Sequence, residues 1–102
     1  MSPARSPGKK SRPSLASRHR VIVGLRVREQ LRDAPPQLQG YVAGVVAFLR
    51  ADPTAASAAF TVVGGAEYKT VIFSLAGGHG FLDYKVFDQQ RVVVLADLIW
   101  LE

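Results

Sequence analysis

The sequence predicts an α+β fold of two layers: an N-terminal strand and a helical hairpin packed on an antiparallel C-terminal meander sheet. Three observations carry this expectation. An aliphatic, β-branched run opens the body at Val21, Ile22, Val23 and Leu25. Apolar residues then recur at three and four spacing from Leu38 to Leu49. After Phe60 the pattern changes to alternation with a period of two, broken by glycine-rich or polar turns. Both helices precede the meander, so they can cover only one of its faces.

The first strand lies in "HRVIVGL", where Gly24 weakens the pattern or marks a bulge. In "RVREQLRDAPP", Val27 and Leu31 fall four apart on one helical face, and Pro35 and Pro36 end that helix. The second helix starts with Pro36 in its first turn. It presents Leu38, Tyr41, Val42, Val45, Phe48 and Leu49 on one side, and Asp52-Pro53 stops it. Gly40 and Gly44 sit four apart in this helix and are expected to pack closely against the first helix or the sheet. "TAASAAF" suits a single helical turn or a loop.

Phe60–Val63 reads as a short strand followed by a Gly64-Gly65 turn. In "EYKTVIFSL", one face carries Lys69, Val71, Phe73 and Leu75, and the other carries Tyr68, Thr70, Ile72 and Ser74. "AGGHG" reads as a turn. In the strand after it, Leu82, Tyr84 and Val86 oppose Asp83 and Lys85. "DQQ" turns the chain into a last strand whose apolar face is Val92, Val94, Ala96, Leu98 and Trp100.

At 102 residues the chain fits one domain. It has no cysteine, which excludes disulfides and thiolate metal sites, and His19 and His79 lack zinc spacing. No apolar run reaches the roughly 20 residues that cross a bilayer, and the first residues lack the apolar core of a secretory signal. A cytoplasmic protein without a cofactor is expected. The net charge of +5 is unevenly placed. Residues 1–20 hold six basic groups and no acid, whereas the other 82 residues sum to −1. With three prolines, five serines and one leucine, residues 1–20 read as a disordered basic tail and residues 21–102 as the folded domain. The tail serves either as a solvated extension or as an arm whose Arg12, Arg18 and Arg20 touch phosphates, with Lys85 a further phosphate contact.

The sheet face away from the helices is where function is expected. It carries Lys69 or Tyr68, Tyr84 or Lys85, and Arg91, depending on register. Lys69 and Arg91 are candidate phosphate ligands or simply solvated strand cations. His79, between glycines, is a loop histidine or a general acid/base. Tyr84 is a core tyrosine or a proton donor. Leu98 and Trp100 are core residues, or a partner-binding apolar patch if the closing strand is exposed.

The order of these segments resembles the RelE/ParE superfamily of bacterial toxins over residues 20–102. "RVREQLRDAPPQLQGYVAGVVAFLRADP" is similar to the family's helical hairpin, "AEYKTVIF" to its basic-aromatic strand, "GFLDYKVFD" to its tyrosine-bearing strand and "RVVVLADLIWLE" to its valine-rich closing strand. The resemblance implies the toxin of a type II toxin–antitoxin pair, neutralised by an antitoxin and acting on ribosome-bound mRNA or on DNA gyrase. It implies catalysis by Lys69, His79, Tyr84 and Arg91. The chain departs from the RNA-cleaving branch in two places: Phe81 stands where an arginine is usual, and Leu98, Ile99 and Trp100 replace the closing basic residues and tyrosine. The departures favour the gyrase-binding branch, or a member with weak or lost catalysis. The alternative is a non-catalytic protein- or nucleic-acid-binding module. Convergence of Lys69, Arg91 and His79 on one face would favour an enzyme; divergence favours the binding module.

Overall fold

The computed structural model describes residues 18–75 and 77–102. Their elements are strand β1 (Arg20–Val23), helices α1 (Leu25–Arg32) and α2 (Pro36–Ala51), a 3-10 turn (Pro53–Ala55), the one-turn helix α3 (Ala56–Ala59), and strands β2 (Thr61–Gly64), β3 (Tyr68–Leu75), β4 (Gly78–Phe87) and β5 (Val92–Leu101). The expected two layers are present, but the sheet is mixed. Its order is β1-β5-β4-β3-β2, with an antiparallel meander from β2 to β5 and β1 added in parallel beside β5. β1 opens at Arg20, and His19 already donates its N–H to the Arg50 carbonyl at 3.0 Å, so the fold reaches into the segment read as tail. Residues 1–17, including Arg12, lie outside the described residues.

The helices cover one sheet face. Val27 of α1 and Leu38, Val42, Val45 and Leu49 of α2 are buried against Val71, Leu82, Tyr84, Val93, Leu95 and Leu98. Truncating such a side chain to alanine costs about 2–5 kcal/mol. Asp52 ends α2 and caps the 3-10 turn: its Oδ1 accepts from the Thr54 N–H at 3.0 Å and from Thr54 Oγ1 at 2.7 Å. These bonds, the hydroxyl's first, hold the Asp52 carboxyl below its ordinary pKa.

Three expectations are corrected. Gly40 and Gly44 pack against neither the first helix nor the sheet; both are exposed, and a Cβ at either would meet no described residue within 4 Å. "AGGHG" is not all turn, because β4 begins at Gly78 and includes His79 and Gly80. These glycines make room rather than a bend: a Cβ at Gly78 would lie 2.6 Å from Trp100 Cζ2, and one at Gly80 would overlap the Phe73 ring. Phe73 can then lie against the sheet, stacked at 6.1 Å from Trp100 on one side and 4.5 Å from Tyr41 of α2 on the other. Finally, the apolar face of β5 is not the single series Val92 to Trp100. A bulge between the pairs Asp83–Asp97 and Tyr84–Leu95 leaves Ala96 without a partner and reverses the parity. Val93 and Leu95 face the core before it and Leu98 after it, while Val92 and Val94 turn to the opposite face.

Gly80→Ala is expected to destabilise the fold by about 1–3 kcal/mol through overpacking against Phe73. Chemical denaturation followed by tryptophan fluorescence measures it, and an unchanged midpoint would contradict the close approach.

Candidate functional site

Register decides which of the candidate residues share a face. Lys69 and Tyr84 are direct cross-strand partners on the covered side, whereas Tyr68 and Lys85 are partners on the uncovered side. On the covered side, Lys69, Tyr84, Val62 and Ala66 line a cleft of about 180 Å³ whose other wall is Pro53, Thr54 and Ser57. Lys69 Nζ spans the β2–β3 turn and donates to the Gly65 carbonyl at 2.8 Å. Tyr84 is fully buried, and its hydroxyl has no hydrogen-bond partner among the described residues. Burial raises the phenol's pKa, so it stays protonated at neutral pH and cannot serve as a base. With its oxygen shut away from solvent, Tyr84 is placed as a core residue.

The remaining candidates lie elsewhere. His79 is exposed on the uncovered face, its Nδ1 3.1 Å from Ser74 Oγ. Six residues along β4 from Lys85, it stands about 20 Å away from it at strand rise. Arg91 is in the β4–β5 turn with a left-handed φ of 56°, its N–H bonded to the Asp88 carbonyl at 3.1 Å. Lys69, His79 and Arg91 therefore do not converge. Arg18 and Arg20 are exposed at the start of β1, and Arg20 pairs with Val92. Leu98 is 1% exposed and belongs to the core, so it is not an accessible partner contact. Trp100 is partly buried over Phe73, its indole N–H reaching Glu102 Oε2 at 3.3 Å.

The most distinctive surface is the uncovered sheet face, which no described element packs against. Alternation ordinarily makes such a face polar. Here it carries Ile72, Ile99 and Leu101 at 38%, 44% and 55% exposure, with Ile22 on β1 and Val63 on β2 also exposed. Phe81, Phe87, Val92 and Val94 are half-buried among them. Lys85 occupies the middle strand with its Nζ 5.1 Å from the Phe87 ring centroid and 5.9 Å from that of Tyr68, a cation–π arrangement. Beside it, Asp83 and Asp97 are directly opposed across β4 and β5. Like charges so placed repel. Asp83 accepts a 2.7 Å hydrogen bond from Thr70 Oγ1, and Asp97 has Arg26 Nε at 3.6 Å.

Sequence reasoning placed function on this face but left its residues open, because each strand offers two series with similar content. Lys69 with Tyr84 and Tyr68 with Lys85 are equivalent as residue types. The signal available was Ile72, Phe81 and Ile99, large apolar residues in the series opposite the core series. Among the described residues there is no cluster of three metal-ligating side chains, and no helix is long and apolar enough to cross a membrane. The chain matches no protein-family model, no curated protein and no solved structure.

Tyr84→Phe is expected to raise stability by about 1 kcal/mol, because it removes a buried hydroxyl that has no partner among the described residues. The raised folded-state pKa also sets a pH dependence. Stability from keeping this phenol neutral is complete below the ordinary tyrosine pKa and is lost as pH rises through the folded value. Tyr41, raised by the same cause, adds a parallel loss. Urea denaturation between neutral and alkaline pH should therefore show a shallower decline in the phenylalanine variant. A destabilised variant would reveal an unseen partner for the hydroxyl.

Proposed function

We propose that this chain is a non-catalytic protein-binding module whose working surface is the uncovered face of its sheet. The observation that carries this reading is the separation of the candidate catalytic groups. Lys69 and Tyr84 lie on the covered face, His79 on the other, and Arg91 in a turn. General acid–base work on a phosphodiester needs such groups within hydrogen-bond reach of one reacting centre. In contrast, the uncovered face gathers exposed apolar side chains around an aromatic-held lysine and two carboxylates, more apolar surface than a solvated sheet face requires.

The order of elements supports a second, compatible reading. A helical hairpin after the first strand and a closing meander resemble the RelE/ParE toxins, and a gyrase-directed member of that group would act by binding rather than by cutting RNA. In that reading the cognate antitoxin, encoded beside the toxin gene, is the binding partner.

Two measurements separate these readings. Ile72→Asp combined with Ile99→Asp should leave the circular dichroism spectrum unchanged and weaken binding to the product of the adjacent gene by at least about 100-fold. Undiminished binding would remove the face as the contact for that product. Growth arrest of a bacterial host on induction of the chain alone, relieved by the neighbouring gene, supports the toxin reading. Normal growth at confirmed soluble expression counts against it.

A further inference from the structure

The uncovered face has a pattern that matches itself. β4 is the middle strand, and along its exposed side it presents Phe81, Asp83, Lys85 and Phe87 in that order. About residue 84 the sequence of types is symmetric in its aromatics and opposite in its charges. A two-fold axis lying in the plane of the interface, across β4 over Tyr84, reverses the strand direction in the second copy. Phe81 then faces Phe87, and Asp83 faces Lys85, on both sides of the axis. Isologous interfaces require this self-complementarity.

From this juxtaposition we propose that the chain forms a two-fold dimer by packing its uncovered sheet face against that of a second copy. The proposal rests on the reading of that face as an interaction surface, and names its occupant. Charge selects a second copy over another protein. Arg26 already lies 3.6 Å from Asp97, but Asp83, directly opposed to it, has only the Thr70 hydroxyl as partner and no cation among the described residues, which leaves place for one located two strand positions from an acid. Lys85 of a second copy meets that requirement, and its stacking between Tyr68 and Phe87 holds it above the sheet surface.

Size is consistent as well. Strands of four to ten residues at ordinary rise and spacing give the face roughly 600 Å² of projected area. Its rougher accessible surface approaches the ~800 Å² per partner of a stable interface. The N-terminal segment is a poor occupant, since residues 1–17 supply only Met1, Leu15, two alanines and three prolines as apolar side chains. Sheet-on-sheet packing also tolerates the face's twist, because aligned sheets pack within about 30° of one another.

The test is sedimentation equilibrium on the full chain. A concentration-dependent dimer is expected, weakened at least about tenfold by Lys85→Glu, which sets acid against the partner's Asp83, and equally by Asp83→Lys, which sets lysine against Lys85. Mixing the two variants should restore a heterodimer, since one copy then carries two acids where the other carries two lysines. A monomer at every concentration up to roughly 100 µM overturns the proposal. So does a dimer indifferent to both changes, or a mixture that stays monomeric.

A second readout covers the event that Asp83→Lys fails to fold. The chain has no cysteine, so Phe81→Cys and Phe87→Cys report register. Mixed, they should oxidise to a disulfide-linked dimer, and separately they should not. Equal cross-linking of each variant with itself, or none in the mixture, overturns the proposed register. A monomeric chain that still loses its neighbour's product through Ile72→Asp with Ile99→Asp leaves the interaction surface standing without the dimer.

Discussion

One topological constraint governs the molecule. β1 and β2, the strands flanking the helices in sequence, lie at opposite edges of the sheet. The chain between them must therefore cross the full width of the sheet, and it does so once, as helices α1 and α2. A single crossing covers a single face. The core, the aromatic row from Trp100 through Phe73 to Tyr41, and the burial of Tyr84 all lie under that crossing. The opposite face is left to the strands' own side chains.

The two faces differ less in hydrophobicity than in what fills them. On the covered side, glycines at 78 and 80 leave room for the Trp100 and Phe73 rings close to the strand, and Tyr41 of α2 stacks on Phe73. On the uncovered side, aromatics flank a lysine instead, and the carboxylates of Asp83 and Asp97 are held at the surface by Thr70 and Arg26. The β5 bulge links the two arrangements. By reversing parity at Ala96, it keeps Leu98 in the core while sending Val92 and Val94 to the open side. A regular β5 would have placed Val93 and Leu95 on the same face as Ile99, burying neither pair well.

Much of this was legible in the sequence. The grouping of β3 and β4 residues into shared faces, the apolar side of α2, and its stop at Asp52-Pro53 follow from local periodicity. What was not legible depended on distant partners. Gly78 and Gly80 look like a turn because glycine breaks local pattern; only Phe73 and Trp100, brought near by pairing, show that they fill strand positions. Gly40 and Gly44 have the spacing of a packed stripe, yet α2 directs Leu38, Val42 and Val45 inward and leaves them outside. The parallel pairing of β1 with β5 joins Arg20 to Val92, and no local signal reports it. The choice between Lys69 with Tyr84 and Tyr68 with Lys85 turned on a parity that both residue sets satisfied.

The parallel pairing also bears on how the chain is made. β1 leaves a synthesising ribosome before the other described strands, but β5, its one sheet neighbour among the described residues, is the last of them along the chain. α1 likewise finds β5 as its main contact. At about 5–20 residues per second, several seconds of synthesis separate the strand from its mate. During that interval the apolar side of α2 has no complete sheet beneath it, so the core closes only once β5 has emerged, and the earliest strand is among the last to be paired.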